Sequence, residues 1–213
     1  MAYDLQEQEQ LATFKAWWEK YGNFILTLVT VVLLAIAAWN GWRWYERREA
    51  AAAAVVYEQV LKALGEKESA RVKELTGTLI QSHGRTVYAA MAALHAAKLN
   101  HEAKDLPAAR AQLQWIIDKS GHEEFTLLAR VRLAGVLLDE KNYDEALKVL
   151  AGEVPPAHQT AFADRRGDVL YAQGKAAEAR AAWQLALDRA EPQHPLRQLI
   201  QLKLDAVPAP AVS

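Results

Sequence analysis

The pattern of apolar and polar positions divides the chain into two parts of different character. From Phe24 to Trp39 the sequence FILTLVTVVLLAIAAW holds no charged residue, and only Thr27 and Thr30 interrupt it. With its flanks the run reaches about 20 residues, which at about 1.5 Å per residue crosses a hydrocarbon core of roughly 30 Å. Trp17, Trp18 and Tyr21 precede it, and Trp39, Trp42, Trp44 and Tyr45 follow it. Amphipathic rings at both ends are the mark of a membrane-spanning helix, because such rings settle at headgroup depth. The pattern therefore predicts a transmembrane helix over 22–45. Trp39, Trp42, Trp44 and Tyr45 form its interfacial belt, and Arg43, Arg47 and Arg48 reach lipid phosphates just outside. A buried helix of a soluble domain is one alternative, against which the flanking aromatics count. A cleaved signal peptide is the other: Ala35-Ile36-Ala37 offers a small-x-small pattern, but it lies inside the apolar run. The segment before the run also carries Asp4, Glu7, Glu9 and Glu19, where a signal would be basic.

The polar segment 1–21 is itself patterned. Leu11, Phe14, Trp17, Trp18 and Tyr21 recur at three- and four-residue spacing, which predicts a short amphipathic helix lying at the interface and leading into the span. On the far side, AAAAVVYEQVLKAL is rich in alanine and free of Gly and Pro up to Gly65. Helix is expected to continue from the span into this alanine-rich segment.

The rest of the chain repeats. LARVRLAGVLLDEKNYDEALKVL, from Leu128, aligns with AFADRRGDVLYAQGKAAEARAAW, from Ala161, at a constant offset of 33 residues. AALHAAKLNHEAKDLPAARAQL lies 37 residues before the first, and Tyr57 to Ile80 makes a fainter unit. Small residues recur at one position (Ala97, Ala134, Gly167) and again at a second (Ala109, Ala146, Ala179), followed by a large apolar one (Leu113, Leu150, Trp183). Small side chains at those points let two paired helices approach closely. The pattern resembles the tetratricopeptide repeat, a helix-turn-helix unit. It departs from it in carrying Lys104 and Lys141 where the last copy has Gly174, and in lacking the first-helix tryptophan. Asn142 and Asp105 read as helix N-caps, Gly152 to Pro156 as a helix end, and Pro195 to Asp205 as a closing helix over the last repeat. The fold class is thus all-α: one transmembrane helix, then a tetratricopeptide-like solenoid over 46–206 with a C-terminal capping helix, and a disordered tail over 207–213.

Composition changes this picture mainly by exclusion. Charges cancel from Glu46 onward, leaving no basic surplus for nucleic acid. The absence of cysteine removes disulfides, thiolate metal sites and cysteine nucleophiles. His83, His95, His101, His122, His158 and His194 form no HExxH, and no GxSxG or phosphate-binding glycine loop occurs. A non-enzymatic protein without metal or cofactor is expected. What a repeat stack offers instead is an inner face built from the first helix of each pair. By the repeat phase that face holds Leu94, Lys98 and His101, then Val131, Gly135 and Leu138, then Asp164, Asp168 and Tyr171. Apolar with charges of both signs, it suits an extended apolar segment or a partner helix. The flanking charges do not fix orientation across the membrane.

The order of parts resembles one bacterial family. EQEQL, KYGN, WNGWRWY and DLPAARAQLQWIIDK, at 105 to 119, are its most specific words, and the likeness to the YfgM family covers nearly the whole chain. That resemblance implies an inner-membrane protein with a cytoplasmic N-terminus and a periplasmic repeat domain. It also implies association with the Sec translocon and a membrane-anchored periplasmic peptidyl-prolyl isomerase, and a chaperone-like role toward secretory clients.

Overall fold

Alanine-rich sequence with few glycines and prolines gives helix throughout: the computed structural model describes residues 2–207, in which nine α-helices and no strand occur. Most of the tail expected over 207–213 falls outside the described residues. The first helix, α1 (Ala2–Gly65), contains the apolar run. No break separates the amphipathic segment from the span, so the expected separate interfacial helix is part of α1. The one glycine between them, Gly22, lies beneath the Trp18 indole, and a Cβ there would stand 3.0 Å from the ring. The chain divides into two compact units between Glu49 and Ala50.

In the second unit residues 50–65 of α1 pair with α2 (Ser69–His83). Three more pairs follow: α3 (Val87–Glu102) with α4 (Leu106–Lys119), α5 (Glu123–Asp139) with α6 (Tyr143–Val149), and α7 (Pro156–Ala172) with α8 (Ala176–Arg189). The closing helix is α9 (Arg197–Ala206). The faint unit at Tyr57 to Ile80 is a full pair. Where the other copies have two small residues it has Val60 and Val72, and where they have Leu113, Leu150 and Trp183 it has Thr76. All three are fully buried, and the Thr76 hydroxyl donates to the Ala92 carbonyl at 3.5 Å.

The turn inside each pair is the same. Lys67, Lys104, Lys141 and Gly174 adopt left-handed backbone at φ 59°, 62°, 61° and 80°. The amide after each bonds back five residues: Glu68 to the Ala63 carbonyl, Asp105 to Asn100, Asn142 to Leu137 and Lys175 to Leu170, at 2.8–3.0 Å. This is the Schellman ending of a helix, which glycine enters most easily. Asp105 then caps α4 by accepting from the Ala108 amide, whereas Asn142 occupies the cap position of α6 without a side-chain cap, its amide donating to Glu140 instead.

Ala97, Ala134 and Gly167, with Ala109, Ala146 and Ala179, are buried where paired helices cross. The last crossing is the tightest, for a Cβ on Gly167 would come 2.3 Å from the Trp183 indole nitrogen. Helix α9 buries Ile200 and Leu204 against the cluster that holds Leu170, Trp183 and Ala186, as a capping helix should. Its end is held one residue further than expected: Val207 is buried, and its carbonyl and that of Leu204 accept from Arg180 of α8.

Candidate protein-binding face

The first helices stack on one another, α3 on α5 and α5 on α7, and form one layer of the repeat unit, the layer that is the inner one in a tetratricopeptide stack. Contacts between equivalent turns fix its register. His101 of α3 meets Asp139 of α5 at 2.6 Å, and the guanidinium of Arg165 on α7 lies over Gly135 of α5, 3.5 Å from where a Cβ would stand.

Not all of the residues expected on this face are open. Leu94 is 6% exposed and packs in the core, and Asp164 is 7% exposed. They correct the expectation at these two residues, which are covered, whereas Val131 at the same position of α5 is half-buried. Asp168 is half-buried and engaged. The ammonium of Lys203, on α9, stands 2.6 Å from an oxygen of Asp164 and 2.6 Å from one of Asp168. Asp168 also accepts from the Trp183 indole and from Arg165, each at 3.2 Å. Burial pushes the Asp164 carboxyl above its ordinary range, and Asp168 adds to this, against the pull of Lys203 and Arg165. The C-terminal end of the face is thus closed by α9. Lys98 and Tyr171 are exposed, Tyr171 with its ring 5.7 Å from that of Trp183. Val131, Gly135, Leu138 and His101 are half-buried.

The periodicity reading missed one row of the same layer. His95, Arg132 and Arg165 are separated by the repeat's own offsets, 37 and 33 residues, and so stand at one position of three consecutive turns. Each repeated unit signals this, and the row lies one residue on from Leu94, Val131 and Asp164. His95 shares a hydrogen bond with the Tyr57 hydroxyl at 3.2 Å. Its pKa is lowered by burial, then by the charges of Arg132 and Lys98. The Arg132 side chain is exposed, and partial burial lowers its pKa too. On another side of the unit, next to the short α6, an open cavity of about 790 Å³ is lined by Val154, Phe162, Arg166, Leu185 and Arg189.

The membrane flank occupies the first unit. Trp39, Trp42, Trp44 and Tyr45 are all exposed on α1. The Trp42 indole donates to Glu46 at 2.8 Å, and the Arg48 guanidinium stands 5.5 Å from the Trp44 ring centre. Arg43 and Arg47 are exposed. At the other end Phe14, Trp17, Trp18 and Tyr21 form a ring cluster, with Lys20 over Tyr21 at 5.3 Å. Between the clusters the hydroxyls of Thr27 and Thr30 donate to the Asn23 and Leu26 carbonyls, each at 2.8 Å, so neither leaves a polar group unmet in hydrocarbon. Among the described residues α1 is the one helix long and apolar enough to cross a membrane. No group of residues fit to hold a metal ion occurs among them.

Comparison with known proteins agrees with this architecture. Residues 15–209 match the tetratricopeptide repeat-like domain. A protein of Neisseria gonorrhoeae is 32% identical over 97% of this chain and 100% of its own length. The chain belongs to the YfgM family. Similar proteins occur in Aggregatibacter actinomycetemcomitans, 28% identical over 96% of this chain and 99% of the relative, and in Escherichia coli, 24% identical over 93% and 95%. All three relatives are named ancillary SecYEG translocon subunit. No solved structure matches.

Proposed function

We propose that this chain is a non-enzymatic, single-pass inner-membrane subunit associated with the Sec translocon, with its N-terminus in the cytoplasm and its repeat unit in the periplasm. The observation that carries the reading is full-length kinship with a protein named ancillary SecYEG translocon subunit, in a chain where, among the described residues, the one membrane-competent helix lies near the N-terminus. In this reading the inner layer binds a partner, such as a membrane-anchored peptidyl-prolyl isomerase, or an emerging secretory client. One span confines the repeat unit to the membrane surface and raises its effective concentration there, so weak contacts suffice for a chaperone-like scaffold. The bilayer is met by the aromatic belt and by Arg43, Arg47 and Arg48. No step needs a cofactor, and nucleic acid has no surface to meet.

Purification of the full chain from its own membranes in mild detergent tests this. The translocon subunits should co-purify, together with a peptidyl-prolyl isomerase. Recovery of other envelope-assembly proteins in their place, under conditions that leave the translocon intact, would identify a tetratricopeptide adaptor outside the translocon instead. Protease digestion of sealed vesicles tests orientation, and the repeat unit should be cut only from the periplasmic side.

A further inference from the structure

The row of basic side chains along the inner layer is answered differently at each turn. Lys203 reaches back from α9 to Asp164 and Asp168 of α7. Arg165 reaches back from α7 to Gly135 of α5, and His95 from α3 to Tyr57 of α1. By the repeat offsets these contacts are the same contact: each row residue leans on the positions that Leu94 and Lys98 occupy in α3. That register sets Arg132 of α5 against Leu94 and Lys98. Where Lys203 faces two carboxylates, the positions that the register sets opposite Arg132 hold an apolar residue and a cation, Leu94 and Lys98. Burial lowers the His95 pKa first, and the charges of Arg132 and Lys98 lower it further.

Nearby carboxylates are taken by other cations, Glu102 by the exposed Lys98 itself, so the unanswered charge is that of Arg132. Glu102 sits 3.7 Å from Lys98, Asp139 pairs with His101, and Asp168 pairs with Arg165 and Lys203. Among the described residues Arg132 has no hydrogen-bond or ion-pair partner. An exposed guanidinium with no counter-charge of its own, set by the register opposite another cation, presents an unanswered charge to an incoming anion. The planar fork of arginine suits a carboxylate in particular.

We propose that Arg132 and Lys98 form a carboxylate-binding site for an acidic side chain of an extended partner segment lying along the inner layer between α3 and α5. Val131 and Leu138, half-buried on either side of Arg132 along α5, receive the apolar neighbours of that acid. The segment stops short of α7, where Lys203 already fills the equivalent place. This deepens the proposed binding role of the inner layer and does not depend on which complex the protein joins.

The test uses the full chain in detergent micelles and a fluorescein-labelled short peptide of alternating glutamate and leucine, read by anisotropy. The acidic peptide should bind, and binding should weaken with salt. Arg132→Gln should loosen it about tenfold or more, and Lys98→Gln by a smaller factor. A peptide with glutamine in place of glutamate should bind weakly, and equally weakly to the unmodified chain and to Arg132→Gln, as a coupled pair requires. Arg166→Gln, which removes an exposed arginine beside the outer cavity, should leave binding unchanged. Helical circular dichroism of each variant should match the unmodified chain. Equal affinity for the acidic and amide peptides, no loss on Arg132→Gln in a folded variant, or no binding of the acidic peptide at all would overturn the proposal. Any of these outcomes would leave co-purification with the translocon untouched, so the two readings fail separately.

Discussion

Lys203 holds two carboxylates of which one, Asp164, is almost completely buried. Removing the amine by Lys203→Ala leaves that carboxylate without its counter-charge, and breaking a buried pair in this way costs about 3 kcal/mol. The pH dependence follows from the Asp164 shift. Its carboxyl is raised in the folded protein, so the fold binds its proton more readily than the unfolded chain does. That contribution to stability is present in acid and is lost as pH rises through the folded pKa. Without Lys203 one of the two groups that pull the pKa down is gone and it climbs further. Urea unfolding should therefore show a large loss of stability for the variant near neutral pH and a smaller one at about pH 5. A loss of equal size at both would mean that packing of the lysine stem, not the charge on Asp164, is responsible. Both aspartates were legible in the sequence as inner-layer residues. Their use was not, because the loop between Arg189 and Arg197 breaks the repeat offset and hides that α9 stands in the place of a further first helix.

Among the elements, the four Schellman turns are the most regular feature, and three of them carry lysine at the left-handed position. An L-residue there bears roughly 1–2 kcal/mol of strain. Glycine relieves it but adds roughly 0.5–1 kcal/mol of entropy to the unfolded chain. Lys141→Gly should thus raise stability by about 0.5–1 kcal/mol, seen as a higher urea midpoint at unchanged slope. Lys104→Gly should do the same, and the two effects should add, since the turns belong to different repeats. A fall in stability would show that the lysine side chain makes a compensating interaction. The alignment of Lys104 and Lys141 with Gly174 exposed the register of these turns, but not their conformation, because lysine gives no sign of left-handed backbone. The first repeat was faint for a related reason. Val60, Val72 and Thr76 fill the positions that smaller or larger residues hold elsewhere, so the crossing is kept by different volumes and the pattern by which one recognises it is lost.

In the molecule as a whole, function depends on a boundary between oil and water that the sequence marks twice. Tyr21 and Trp42 lie 21 residues apart on one helix, a rise of about 32 Å, close to the thickness of a hydrocarbon core. Rings at both ends and hydroxyls satisfied within the helix are what a span requires. They were readable because the bilayer imposes its period on sequence directly, without a tertiary partner. The inner-layer row was harder to read because its meaning depends on what faces it from the preceding repeat. The span also fixes a depth that can be measured. In a chain whose other tryptophans are replaced by phenylalanine, Trp42 should be quenched by bromines placed near the lipid headgroups and little by bromines deep in the acyl chains. Its indole N–H donates to Glu46 at 2.8 Å, and because a carboxylate favours water over hydrocarbon this bond is expected to hold the ring at the interface rather than in the core. Glu46→Ala frees that nitrogen and removes the polar tether, so the ring should move toward the acyl chains and its quenching profile with it. Access of Trp42 to aqueous iodide but not to brominated lipid would place the GWRWY segment outside the bilayer and shift the span toward the N-terminus.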